Sequence, residues 1–295
     1  FMVKVREDYP LRDNGDVDIE QWAVRIASVA GSNDFAQQQL VSAATLSWQS
    51  ERDITSLNKF WSQQHTSSFL TGLEMAEILA ELQLDQEALI AAVLYRGVRE
   101  GKINILDIKE RYGDVVEGLI HGVSGMAAIS QLRNDSEESV LGQRSAEQTE
   151  NVRKMLVSMV DDVRVALIKL AERTCAIRAV NHSSDERKQK VAREVFDIYA
   201  PLAHRLGIGH IKWELEDLGF RYLKPDDYKS IAKLLDEKRL DRQDYIDYAV
   251  ESLQTQIQKN NIDAEVYGRA KHIYSIWRKM QRKNIGFSEV YDIRA

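Results

Sequence analysis

Prolines occur only at positions 10, 201 and 225, so residues 11–200 run without the residue that most strongly breaks a helix. Such a chain is expected to build long helices, and its apolar spacing agrees. Leu73, Ala76, Leu79 and Leu82 fall on one stripe, and Asp85 stands where it can cap a second helix over 87–94. Over 151–178, Met155, Leu156, Met159, Val163, Leu167, Leu170 and Ala171 recur at helical spacing across a span of about 42 Å if unbroken, which predicts a partly buried central helix or two joined by a bend. The polar stretch 133–150 reads as a mobile loop or a polar surface helix, and 181–185 as a short break. After Lys224 and Pro225, charged helices are predicted over 228–239 and 244–259. An alternating strand over 262–267, a helix over 272–283 and a second strand over 287–293 then read as the opening of a β-α-β unit. Two strands cannot bury a sheet face, so the natural protein is expected to continue past Ala295.

Charge sets limits on partners. Forty Lys and Arg stand against 46 Asp and Glu, a net charge of −6, which gives no overall attraction to nucleic acid or an anionic bilayer; any polyanion site must be local. Apolar runs are too short and too often charged to span a membrane. The first ten residues mix Lys4 and Arg6 with Glu7 and Asp8 and lack an apolar core, which argues against a signal peptide. A single cysteine, Cys175, leaves no internal disulfide and fits a reducing, cytoplasmic setting.

One segment inverts the overall charge. Residues 268–283 carry Arg269, Lys271, Arg278, Lys279, Arg282 and Lys283 with no acidic residue. Positions 271, 275 and 279 are spaced to share a helix face, and cations beside a helix N-terminus suit a polyphosphate; a solvated basic helix has the same composition. Asp292, on the following predicted strand, could supply a carboxylate for Mg²⁺.

Val266-Tyr-Gly-Arg-Ala-Lys-His-Ile-Tyr-Ser-Ile-Trp-Arg-Lys-Met280 with Tyr291-Asp-Ile-Arg-Ala295 resembles the start of the synthetase domain of the long RelA/SpoT homologues, the alarmone synthetases and hydrolases of the bacterial stringent response. Ile120-His-Gly-Val-Ser124, Arg153-Lys-Met-Leu156, Met159-Val-Asp-Asp-Val-Arg164, Ile168-Lys-Leu-Ala171, Tyr199-Ala-Pro-Leu-Ala-His-Arg-Leu-Gly-Ile-Gly209 and Lys212-Trp-Glu-Leu-Glu-Asp217 carry the resemblance over nearly all the chain after about Phe69. It implies a mainly α fold: a helical HD-type hydrolase or pseudo-hydrolase domain over 1–200, a helical connector over 201–260, and over 261–295 the truncated start of an α/β nucleotidyltransferase-like synthetase domain.

Active hydrolases of that family hold Mn²⁺ with a His, a His-Asp pair and a later Asp, and use a nearby Glu-Asp pair. Here those positions are Thr71, Tyr95-Arg96, Glu172 and Arg99-Glu100. A guanidinium about 4 Å from a divalent ion would repel it by about 8 kcal/mol at an effective dielectric near 20, so no Mn²⁺ is expected. The resemblance therefore points to the monofunctional synthetase branch, which moves a pyrophosphoryl group from ATP to the 3′-hydroxyl of GTP or GDP. It implies that Arg269, Lys271, Ser275 and Lys279 hold ATP, that Asp292 is the catalytic Mg²⁺ ligand, and that ribosome and tRNA are met through a C-terminal region outside this chain. Ala270 replaces a proline common in the family. By itself this chain is expected to be catalytically silent.

Other groups carry less. His65, His121, His182, His204 and His210 lack metal-ligand spacing, and Cys175 reads as a packed thiol. Asp161-Asp162 and the cluster Glu214, Glu216 and Asp217 read as helix surface and caps, and Gly207-Ile-Gly209 as a turn. Two alternative readings stand beside the synthetase: a regulatory helical module without catalysis, and a metal-dependent (p)ppGpp 3′-pyrophosphohydrolase, whose ligands are missing.

Overall fold

The structure is a computed structural model that describes residues 8–31, 34–57, 67–137, 162–236 and 239–290. Helix dominates, and the described residues divide into two compact units, one through Ala179 and one from Val180.

The first unit contains α1 (Ile19–Val29), α2 (Asp34–Leu57), α3 (Ser68–Glu81), α4 (Gln86–Arg99), α5 (Ile105–Glu137) and α6 (Val163–Ala179). Helix α4 is its centre and packs on α2, α3, α5 and α6. The reason lies in its sequence: every residue from Ala88 to Tyr95 is apolar or aromatic and buried, and a helix apolar on all sides belongs inside. Gly72 lets α3 approach α4 closely, because a Cβ there would collide with the Val93 carbonyl. Asp18, Ser67 and Asp85 accept hydrogen bonds from the backbone N–H groups of Gln21, Leu70 and Ala88, so Asp85 is the cap its spacing predicts. Within α5, Gly113 leaves helical geometry at φ 87°, a kink closed to residues with a Cβ. Of the central helix expected over 151–178, the part from Val163 is α6. Of the polar stretch 133–150, residues 133–137 finish α5, and the rest of both segments before Asp162 lies outside the described residues.

The second unit opens with a 3₁₀ turn, Val180–His182, at the predicted polar break. It continues with α7 (Asp185–Glu194), a π-helical turn (Val195–Tyr199), α8 (Ala200–Arg205), α9 (Gly209–Leu223), α10 (Pro225–Asp236), α11 (Arg239–Lys259), α12 (Ile273–Lys283) and a 3₁₀ turn (Phe287–Glu289). The wide π turn directly precedes Pro201, which has no N–H to continue an ordinary ladder. Phe220 of α9, Ile231 and Leu235 of α10, Ile273 and Ile276 of α12 and Val290 form a core, with Trp277 and Met280 packed against it. The 273, 276, 277, 280 spacing gives α12 one apolar stripe and leaves its basic residues to the remaining faces.

The two strands expected over 262–267 and 287–293 do not form among the described residues, where the one β pairing is an isolated bridge between Leu11 and Val17. A side chain takes the place of the missing partner strand. The Gln254 amide of α11 donates to the Ala264 carbonyl at 3.1 Å, and its oxygen accepts from Val266 N–H at 3.0 Å. Phe287–Glu289 winds into its 3₁₀ turn with the Glu289 carboxylate accepting from Gly286 N–H at 2.7 Å, and residues 291–295 lie outside the description. An alternating pattern yields a strand only where another strand pairs with it. Among the described residues no helix is long and apolar enough to cross a membrane.

Candidate functional site

In the first unit, the start of α3, the C-terminal end of α4 and the middle of α6 carry the positions singled out for a hydrolase. Thr71 is buried, and its hydroxyl donates to the Ser67 carbonyl at 2.8 Å, so it is committed to its own helix. Arg96 and Arg99 occupy the last turn of α4, where the helix dipole favours cations.

Both carboxylates at these positions are saturated by cations. Glu172, 3% exposed, accepts from Lys169 Nζ at 2.9 Å, Arg173 Nε at 2.8 Å and Arg99 Nη1 at 3.2 Å. Burial pushes its pKa up, but Arg173, Lys169 and Arg99 outweigh burial and hold it down at about 2. Lys169, with no exposed side-chain surface, is shifted the other way: burial lowers it to about 8 against the pull of Glu172. Glu100 accepts from Arg96 Nη2 at 2.8 Å, from Lys102 Nζ at 2.9 Å and from the Ser68 hydroxyl. Burial again opposes ionisation, and hydrogen bonds from Ser68, Lys102 and Arg96 win, leaving Glu100 at about 2.

Tyr95 is fully buried and its hydroxyl has no hydrogen-bond partner of good geometry, although Arg99 lies near enough to act on it. Burial, reinforced by the charge of Glu172, pushes its pKa up to about 12. A divalent ion needs anionic or imidazole donors with lone pairs to spare. These residues offer five cations around two occupied carboxylates, a donor set that does not fit one. Among the described residues no group of three or more His, Cys, Asp or Glu could hold a metal. Sequence reasoning missed Lys169, Arg173, Lys102 and Ser68. The three-residue spacing of Lys169 and Glu172 was the available signal for the first.

The basic segment lies in the second unit. Ser275 and Lys279, four residues apart, share a face of α12, whereas Lys271 precedes the N-cap His272 in the approach to the helix. The Arg269 guanidinium lies over the Trp213 ring at 3.2 Å from its centre, and loss of solvent there lowers its pKa. Trp213 in turn stacks on His272, ring centres 5.3 Å apart. Asp217 of α9, 1% exposed, accepts from the Tyr274 N–H at 2.9 Å and meets His272 Nδ1 at 3.2 Å, so it caps α12 from a neighbouring helix. Asp292 lies outside the described residues. Sequence reasoning took Asp217 as a surface or cap residue and missed Trp213 and His272, whose partners come from distant parts of the chain.

Comparison with known proteins gives the family. Residues 52–209 match the HD domain. A GTP pyrophosphokinase of Photobacterium angustum is 51% identical over 224 residues, 76% of this chain and 30% of that protein. One of Escherichia coli K12 is 45% identical over 282 residues, 92% of this chain and 37% of that protein. A guanosine-3′,5′-bis(diphosphate) 3′-pyrophosphohydrolase of Haemophilus influenzae is 38% identical over 221 residues, 75% of this chain and 31% of that protein. The chain thus spans about a third of the length of these curated relatives. It belongs to the HD-domain family, among the RelA/SpoT homologues.

Proposed function

We propose that this chain is the amino-terminal part of a cytoplasmic GTP pyrophosphokinase whose HD domain has lost hydrolysis and serves as scaffold or regulator. The observation that carries the loss is Glu172: the carboxylate at a metal-ligand position is buried under Lys169, Arg173 and Arg99, so internal cations hold the place a metal would take. Synthesis is supported by the relatives named GTP pyrophosphokinase and by the charge inversion over 268–283.

In the complete protein, Arg269, Lys271, Ser275 and Lys279 would bind ATP. The cations would draw charge from the phosphates and orient the β-phosphorus for attack by the 3′-hydroxyl of GTP or GDP, which loses its proton as the bond to the α–β bridging oxygen breaks and AMP leaves. Asp292 would hold Mg²⁺, which supplies charge neutralisation on the phosphates when bound. Ribosome and tRNA would be engaged by regions outside this chain. The chain alone is silent in synthesis on this reading, because no sheet among its described residues fixes the cradle.

Two assays test the proposal. The chain incubated with ppGpp and Mn²⁺ should release no pyrophosphate above a buffer blank, and the complete protein with ATP, GDP and Mg²⁺ should form ppGpp. Hydrolysis in the first assay, or no synthesis in the second, overturns it.

A further inference from the structure

Trp213 and Asp217 stand four residues apart on α9, so their side chains leave one face of that helix a turn apart. Both reach the entrance to α12. Trp213 carries Arg269 on its ring and stacks on His272, while Asp217 takes the Tyr274 N–H and the other side of His272. The indole has a place prepared for it. A Cβ on Gly209, the first residue of α9, would lie 2.8 Å from the ring, so glycine there makes the room. One helix face thereby fixes both the turn that bears Arg269 and the first turn of α12.

We infer that Trp213 and Asp217 are positioning residues for the phosphate cradle, an inference that rests on the reading of Arg269 as an ATP ligand. A guanidinium held by its face keeps its five in-plane N–H donors for another partner. A carboxylate in the place of Trp213 would consume two of those donors and cancel the charge. The indole restrains a long, rotamer-rich side chain before the nucleotide arrives, which reduces the ordering cost of binding. Asp217 acts on the other side of the turn. It satisfies one of the otherwise unpaired N–H groups at the start of α12 and ties that helix end to α9.

The test uses the complete protein and initial rates of ppGpp formation, with ATP varied at saturating GDP and GDP varied at saturating ATP. Trp213→Leu keeps an apolar side chain and removes the π face. It should raise the KM for ATP about fivefold or more while the KM for GDP and kcat stay within about twofold. Trp213→Phe keeps a ring and should recover most of the ATP affinity. If Trp213→Leu fails to fold, Gly209→Ala, which crowds the indole without removing it, should give the same ATP-selective rise. Asp217→Asn, which retains an acceptor for the Tyr274 N–H but not the charge, should show a smaller rise in the KM for ATP. Arg269→Ala serves as the reference. If it raises the KM for ATP and Trp213→Leu does not, positioning is overturned. An equal rise for ATP and GDP in Trp213→Leu overturns it as well, because that is a general structural effect. If Arg269→Ala leaves ATP use untouched, the ATP-site reading fails and the inference fails with it.

Discussion

In the first unit five cations close around two carboxylates; in the second, Arg269 lies on an indole. The residue types are alike, yet the partners give them opposite uses. Around Glu172 and Glu100 the donors point inward to acceptors, each carboxylate is fully engaged, and the result is a structural ion-pair network held between helices. Trp213 instead offers a quadrupole, which holds a guanidinium without neutralising it or taking its edge donors. A basic residue is therefore read from its partner: one paired with a buried acid maintains the fold, and one paired with a ring stays available to an anion.

The largest test of this contrast is Glu172→Gln. Lys169, with no exposed side-chain surface, would lose the one carboxylate that supports its charge against burial and against Arg173 and Arg99, and would either stay charged without a partner or give up its proton. Breaking such a pair from one side costs about 3–5 kcal/mol. Urea unfolding should show the midpoint falling with an unchanged slope, and Lys169→Met, which leaves Glu172 two guanidinium partners, should cost less. A loss under about 1 kcal/mol for Glu172→Gln would place the cluster with ordinary surface ion pairs.

Acid should find the same network. Glu172 and Glu100 titrate at about 2 in the folded protein against an ordinary 4.5, so their stabilisation is complete above about pH 4.5 and is lost as pH falls from there toward 2. At about 1.4 kcal/mol per unit, and halved for solvent screening at the partly exposed Glu100 and for coupling within the cluster, the loss between about pH 5 and pH 3 is roughly 2 kcal/mol. Glu100→Gln should flatten part of that acid limb. An acid limb unchanged in Glu100→Gln would mean that Glu100 is not held low.

The two regions also differ in how much of them the sequence made legible. Local features were readable: Asp85 as a cap, Pro225 at a helix start, and a helix expected over 272–283 that forms over 273–283 with His272 as its N-cap. The ion pair of Lys169 with Glu172 also lies within one turn. What escaped were contacts made only by tertiary packing. Arg99 meets Glu172 across 73 residues and Tyr274 meets Asp217 across 57, separations at which no periodicity carries information. The strand reading over 262–267, and the described start of the one over 287–293, failed for the same reason in reverse. Alternation at 262–267 was a local signal for a structure that depends on a distant partner, and Gln254 supplied the hydrogen bonds instead.

Arg269→Ala sharpens the comparison from the side of the second unit. A cation on a ring contributes about 0.5–1 kcal/mol to stability at an exposed site, so the unfolding midpoint should barely move. In the complete protein the same substitution should lower kcat/KM for ATP at least tenfold, about 1.4 kcal/mol of transition-state stabilisation. The contrast with Glu172→Gln is the point: a large stability loss there, a large functional loss here. A stability cost at Arg269 as large as at Glu172 would erase the distinction.

The smallest expected effect is that of metal. An HD domain that depended on a bound ion would lose several degrees of melting temperature to a chelator, because binding energy drawn from a site absent in the unfolded chain is folding energy. Here Mn²⁺ would enter a cluster whose cations already outnumber its carboxylates, and each guanidinium within about 4 Å would oppose it by about 8 kcal/mol at an effective dielectric near 20. To bind, the ion would have to displace Lys169 and Arg173 from Glu172 and leave their charges buried without a partner. Thermal melts of the chain with EDTA and with millimolar Mn²⁺ should therefore coincide within about one degree. Glu172→Gln should melt lower than the parent by the same margin in both buffers. A rise in melting temperature with Mn²⁺ that disappears in Glu172→Gln would show that the carboxylate exchanges its cations for a metal, and the separation drawn between the two regions would not hold.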